Sequence, residues 1–256
     1  MPMDGLMLHA VVQALGHSLI GGRVDRVQQP ERDEIILTIR AQGENQMILF
    51  SSNANQARMH RTYERKKNAD TPPQFCMLLR KHLLGAKFVS LTQEGLDRIA
   101  HMQFETRNEI GDLARLTLTC EIMGRHSNII LTDDSGRIIE CARHVTQDIS
   151  RVREVLPGLS YELPPGQDKH DPRELSIEEF HLILQENRSL RLDKILQETL
   201  SGLSSQAAQE IAFRTSGESH KYLENASDSD IIRIAQNLYT FFRVELPDSK
   251  ACLLLS

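Results

Sequence analysis

Apolar residues recur at helical spacing from the start of the chain. Leu6, Met7, Ala10, Val11, Ala14 and Leu15 follow an i, i+3, i+4, i+7, i+8 order, with Asp4 ahead of them as a cap and Gly21-Gly22 behind them as a stop. Three β-type runs follow over 23–29, 34–40 and 46–51, divided by Pro30 and by the Gly43-Glu44-Asn45 turn; they read as an antiparallel meander. Pro72-Pro73 opens a second helix with an apolar face of Phe75, Leu78, Leu79 and Leu83 and a terminator at Gly85. Strand patterns return over 87–93, 96–105, 113–122, 127–133 and 137–145, with turns at Glu94-Gly95, 108–111 and 133–136, and are assigned to a second sheet. Serial strands with only two helices predict a β-sandwich or half-open barrel carrying helices at its ends. Neither a Rossmann nor a P-loop glycine pattern is present.

The stretch 156–172 (LPGLSYELPPGQDKHDP) gathers proline, glycine and turn residues and reads as a linker. Beyond it the pattern is helical. Ser176 and Glu179 form a capping box, and further helices are expected over 190–200, 205–214, 219–225 and 228–244. The expected organisation is α+β, with a β-rich domain over 1–172 and an all-α domain over 173–256. The closing ELPDSKACLLLS stops without a finished element, so more chain is expected beyond Ser256.

With 256 residues, 40% apolar and 25% charged, the chain has room for one large or two modest domains. No run approaches the roughly 20 apolar residues of a membrane span, and the start lacks the regions of a signal peptide, which predicts a cytoplasmic protein without a membrane partner. Cys76, Cys120, Cys141 and Cys252 include no C-x-x-C pair, so they read as reduced thiols and predict no metal site and no cofactor. The net charge of -5 is uneven: residues 1–161 carry 20 Lys and Arg against 19 Asp and Glu, and the remainder 10 against 16. A near-neutral first part can still offer basic patches to an anionic partner. The absence of Trp and 5% aromatics argue against recognition by base stacking and favour phosphate and shape contacts.

Two basic clusters flank loop-like sequence: Arg58, His60, Arg61, Arg65, Lys66 and Lys67, and then Arg143, His144, Arg151 and Arg153. Arg80, Lys81 and His82 fall near the end of the second helix. Arg58, Arg61, Arg80, Lys81, Arg151 and Arg153 are the candidate phosphate contacts; a charge run is otherwise a solvated face. The sequence 200–204 (LSGLS) has helix-hairpin-helix spacing, in which free helix amides can meet a phosphate; the bland reading is a plain αα-hairpin. Asp97-Arg98 lies in a strand-like run and reads first as an ion pair. Glu121 to Asn128 reads as a tight turn projecting Met123 and Arg125 outward. No G-x-S-x-G, H-E-x-x-H or Cys/His constellation specifies an enzyme.

Taken together, MDGLMLHAVV, PPQFCMLLRKHLLGAK, QEGLDRIAHMQFE, EIMGRHSNIIL and SRVREVLPGLSYELPP resemble the NFACT-N domain of the RqcH and NEMF family, over roughly residues 1–170 in order. The family's coiled coil and NFACT-R domain are absent from this sequence. The resemblance implies a MutM/Fpg-like fold followed by a helix-hairpin-helix domain. It also implies ribosome-associated quality control: binding of a split large (50S) subunit carrying peptidyl-tRNA, and recruitment of alanyl-tRNA for alanine tailing. It assigns tRNA binding to Asp4, Asp97 and Arg98, and engagement of the ribosomal complex to Glu121, Ile122 and Met123, beside which Arg125 stands. Arg98 can offer a forked donor to phosphate or a base edge; Asp97 can accept from an amine or a 2′-hydroxyl, or hold Arg98 in place. Two rival readings follow from the same family. One is fibronectin binding, from an older label of its bacterial members. The other is a DNA glycosylase using an exposed Pro2 amine, against which stand the acid one position late at Asp4 and the lack of zinc-finger cysteines.

Overall fold

The computed structural model describes residues 3–67, 71–107 and 110–245. The chain divides into two compact units. Among the described residues, the first takes in residue 3 and those of 11–94 and 98–166, and the second those of 4–10, 95–97 and 167–245. Two short segments far from residue 167 in sequence thus belong with the helical part.

The first unit is built on α1 (Gly5–Leu19, from Val11 onward), α2 (Gln74–Leu83) and nine strands. These are β1 (Arg23–Glu31), β2 (Glu34–Ala41), β3 (Glu44–Ser51), β4 (Arg58–Thr62), β5 (Lys87–Gln93), β6 (Ile99–Arg107), β7 (Leu113–Glu121), β8 (Asn128–Thr132) and β9 (Ile138–Cys141). They form one antiparallel sheet in the order β4-β3-β2-β1-β5-β6-β7-β8-β9. The expectation of two sheets is therefore corrected. The join is made where the chain leaves α2: Gly85, at φ +76°, donates its amide to the Val24 carbonyl, Val24 donates to Ala86, and Arg23 pairs with Lys87. Hydrophobic period marks a strand but does not say which neighbour its free edge will find.

β2 is buried at every position except Arg40, and β8 is buried throughout, so both strands are covered on both faces. Phe50, Phe88 and Phe104 are fully buried, and the last two meet edge to face at 6.2 Å between ring centres. β1 continues through Pro30 because its register with β2 slips between Gln28 and Glu31, where a missing amide costs little. β4 is a strand that the sequence pattern does not predict: Met59 and Thr62 are buried while Arg58, His60 and Arg61 are half-exposed, and charge at a sheet edge masks the alternation. The strand expected from residue 96 begins at Ile99, leaving Asp97-Arg98 in a bend.

The second unit holds α3 (Ile177–Glu186), α4 (Leu192–Thr199), α5 (Ser205–Ser216) and α6 (Asp228–Thr240), then a π turn over Phe241–Glu245. Ser176 and Glu179 close the expected capping box, and Ser227 with Asp230 closes another. Their core includes Phe180, Leu184, Leu196, Ile211, Ile234 and Phe242, with the Phe180 and Phe242 rings stacked 6.0 Å apart. The helix expected over 219–225 is absent. That segment is irregular because Leu223 is fully buried in the core, the Lys221 carbonyl receives the Leu192 amide, and Arg191 bridges to Tyr222. No described helix is long and apolar enough to cross a membrane.

Candidate functional site

Within the second unit, three motifs that are distant in sequence come together. The Asp4 carboxylate accepts the Met7 amide at 2.9 Å, capping α1, and its other oxygen accepts the Ser204 amide at 3.2 Å at the start of α5. The Gly202 carbonyl accepts both the Gly5 and Leu6 amides, so the turn between α4 and α5 satisfies donors that α1 would otherwise leave open. Gly202 sits at φ +79°, and a Cβ there would lie 2.7 Å from the Leu96 Cβ; one on Gly5 would lie 1.9 Å from the Leu96 carbonyl oxygen. Met-Asp-Gly-Leu, the Gly-Leu-Asp of 95–97 and the Leu-Ser-Gly-Leu-Ser hairpin are thus one packed cluster. Asp97 is half-buried at its edge. Beside it, Asp171 holds Arg173 through two oxygens at 3.0 and 2.6 Å, and Arg173 reaches the His9 ring at 3.4 Å. Burial raises the Asp171 pKa, but the hydrogen bonds from Arg173 overcome it and leave it below the ordinary carboxylate range. No motif in the sequence marks this pair.

Within the first unit, Arg98 stands next to the Glu-Ile-Met motif: its carbonyl accepts the Ile122 amide at 2.8 Å, and Ile99 pairs with Glu121. Arg98 is half-exposed. Glu121 is fully buried and faces inward. It accepts from Arg153 at 2.8 and 2.7 Å and from the Tyr161 hydroxyl at 3.0 Å, while the Arg153 guanidinium also donates to the Glu162 carbonyl and lies 5.8 Å over the Tyr161 ring. Burial lowers the Arg153 pKa, but Glu121 more than offsets it and the value is raised; burial and the Glu121 charge push the Tyr161 hydroxyl far up. Arg153, a candidate phosphate contact, has its guanidinium paired with Glu121. No pattern in the sequence marks Tyr161 as a partner of Glu121. The motif continues into buried Ile122, half-buried Met123 and a 3-10 turn over Gly124–His126 that exposes Arg125. The Ser127 hydroxyl accepts the Met123 amide, and Arg143 donates to the Arg125 carbonyl, fixing that turn.

The other candidate cations are scattered over the first unit. Arg58 and Arg61 lie on β4, 3.6 Å from Glu34 and 3.8 Å from Glu44; Arg80 donates to the Val27 carbonyl from α2; Lys81 and Arg151 are exposed. Cys76, Cys120 and Cys141 are buried free thiols, with the Cys120 and Cys141 pKa values pushed by burial up to about 12; Cys252 lies outside the described residues, as does Pro2. Glu140, Cys141 and His144 bring one ligand atom each within 4.8 Å of one another. These atoms already bond internally, His144 to Glu140 at 2.7 Å and the Cys141 thiol to the Arg143 carbonyl at 3.3 Å.

A broad antiparallel sheet and a helical unit that takes in two distant segments define an α+β protein. The chain belongs to the NFACT family, whose N-terminal and middle domains match residues 4–254. It is 42% identical over 217 residues to the Rqc2 homolog RqcH of Bacillus subtilis, covering 84% of this chain and 38% of that protein. The human ribosome quality control complex subunit NEMF is 33% identical over 147 residues, 57% of this chain and 13% of that one. The chain therefore spans less than two-fifths of the length of these relatives. Among solved structures, the N-terminal part of the fibronectin/fibrinogen-binding protein of Streptococcus suis superposes with a TM-score of 0.79 at 34% identity, covering 93% of this chain and 84% of that one. The fibrinogen binding protein of Staphylococcus aureus gives 0.79 at 30% identity, covering 95% and 84%.

Proposed function

We propose that this chain is the N-terminal and middle part of a ribosome-associated quality-control factor of the RqcH kind. In this reading the whole protein acts in the cytoplasm, binds the split large (50S) ribosomal subunit with its peptidyl-tRNA, and recruits alanyl-tRNA so that alanine is added to the stalled chain. Peptide-bond formation is left to the ribosome, and the protein has no active site of its own. The observation that carries the reading is the gathering of Asp4, Gly5 and Leu96 with the Gly202–Ser204 hairpin, which gives a physical reason for motifs shared with the family. Asp97 and Arg98 are the tRNA contacts, with Arg98 supplying a planar fork to phosphate or a base edge. Asp4 acts by holding α1 to the hairpin, read as a helix-hairpin-helix turn. Glu121 acts by anchoring the segment that presents Met123 and Arg125 to the ribosomal complex; direct contact through a buried carboxylate is not required. Arg58, Arg61, Arg80, Lys81 and Arg151 remain as phosphate contacts.

The test is sequencing of RNA that co-purifies with the full-length protein, wild type against Asp97→Ala/Arg98→Ala. Enrichment of 23S rRNA with one tRNA species, and loss of that tRNA in the variant, is the expected result. RNA at background in both samples sinks the reading. The names of the structural relatives support a second one, binding of fibronectin. It requires capture of fibronectin that survives high salt, since attraction between exposed charges alone is screened.

A further inference from the structure

In β1 the register with β2 runs Val24↔Ile39 and then Arg26↔Thr38, which makes Asp25 an extra residue in the strand. Such a bulge breaks the alternation of faces and re-aims side chains. Asp25 and Arg26, neighbours in the chain, are both exposed and line the same cavity of about 280 Å³. Its floor is the rung Arg26–Thr38–Met47 across β1, β2 and β3. The segment after β4 adds Arg65 and Lys66. Lys66 is anchored 2.8 Å from the buried Glu34 carboxylate, which fixes its ammonium at the cavity wall. Arg26 and Arg65 are both exposed. Arg40, exposed and two residues beyond Thr38 on the same face of β2, extends the cationic track.

With Lys66 neutralised by Glu34, Arg26 and Arg65 set two cations against the Asp25 carboxylate, which makes the lining attractive to phosphate, and among the described residues no aromatic ring lines it to stack a base. Asp25 repels a bare phosphate but accepts a hydroxyl, so the lining matches a group that carries both. We propose that this pocket binds a ribonucleotide of an RNA strand: Arg26 and Arg65 take its flanking phosphates, and Asp25 accepts its 2′-hydroxyl. The proposal deepens the ribosomal reading above and rests on it for the presence of RNA.

The experiment is fluorescence anisotropy of the chain with a labelled single-stranded RNA and with DNA of the same sequence, across a range of KCl. The wild-type chain is expected to prefer RNA. Arg26→Ala/Arg65→Ala is expected to weaken RNA binding about tenfold and to flatten the log-log salt slope by about 1.4, two phosphates at about 0.7 each on a single strand. Asp25→Ala is expected to erase the preference for RNA over DNA, whereas removal of a repelling charge alone raises both affinities equally. All three residues are exposed, so unchanged melting temperatures check that the variants fold. An unchanged affinity and slope in the double variant, or no RNA binding by the wild-type chain, overturns the pocket. Asp97→Ala/Arg98→Ala in the same assay separates the two readings. If that variant alone loses RNA, the pocket fails and the ribosomal reading stands; if only the Arg26/Arg65 variant loses it, the pocket stands and Asp97 and Arg98 are not contacts of that strand, while the ribosomal reading is decided by the co-purifying RNA.

Discussion

A carboxylate with no atom exposed to water must be matched inside the protein, and Glu121 is matched by both arms of Arg153 and by the Tyr161 hydroxyl. Removing one side of such a pair strands the other. Glu121→Ala is therefore expected to lower unfolding free energy by about 3 kcal/mol in urea titrations, and Tyr161→Phe by about 1 kcal/mol, the net worth of one hydrogen bond. A loss for Glu121→Ala no larger than for Tyr161→Phe would mean that the Arg153 pair contributes little. His101 gives a pH signature nearby. Its Nδ1 lies 2.9 Å from the Thr119 hydroxyl, and burial holds its pKa below the ordinary value although Glu94 and Glu121 pull it upward. Folding thus favours the neutral ring. Its contribution is complete above the unfolded value of about 6.5 and is lost as pH falls from there through the folded value. His101→Gln is expected to reduce the fall in Tm between pH 7.5 and 5.5; an identical fall would show that other groups set it. The depressed pKa of Asp171 acts in a lower window: its stabilisation is present above about 3.8 and disappears as pH falls through its folded value.

Helix α1 illustrates how far an element can be read locally. Its apolar spacing, Asp4 cap and glycine stop are all in the sequence, and the helix runs from Gly5 to Leu19 as that spacing requires. What Gly5 does is not. A Cβ there meets backbone at 1.9 and 2.6 Å, while one at Gly16, in the same helix, comes no nearer than 3.8 Å to the Leu91 carbonyl oxygen. Gly5→Ala is expected to cost about 3 kcal/mol or more, and Gly16→Ala to be neutral or to stabilise by up to about 1 kcal/mol, because helix propensity then decides. Thermal melting of the two variants checks this, and equal effects would refute the close packing at Gly5. The unformed helix over 219–225 and the unexpected β4 have related causes. Burial of one leucine overrode weak local preference in the first, and edge arginines hid a half-buried strand in the second.

At the scale of the molecule, the second unit depends on residues 4–10 and 95–97. A chain beginning at Gln167 keeps the helical core but loses the Asp4 carboxylate on the Ser204 amide and the two amides on the Gly202 carbonyl. It is expected to unfold at a free energy about 2 kcal/mol lower than the same core in the whole chain, read by hydrogen exchange of the core amides of α5 and α6. Equal protection would mean that those two segments are not needed for its stability. The exposed run over 165–168 is where added protease is expected to cut first.

Most elements, both capping residues at Asp4 and Ser176, and the segments that resemble the family were legible in the sequence, because period, caps and turns are properties of neighbouring residues. The pairing of β1 with β5, the inward turn of Glu121 onto Arg153, and the meeting of Asp4, Leu96 and Gly202 were decided only in three dimensions. Each depends on which distant group completes a hydrogen bond or fills a gap, and a linear pattern carries no record of that partner.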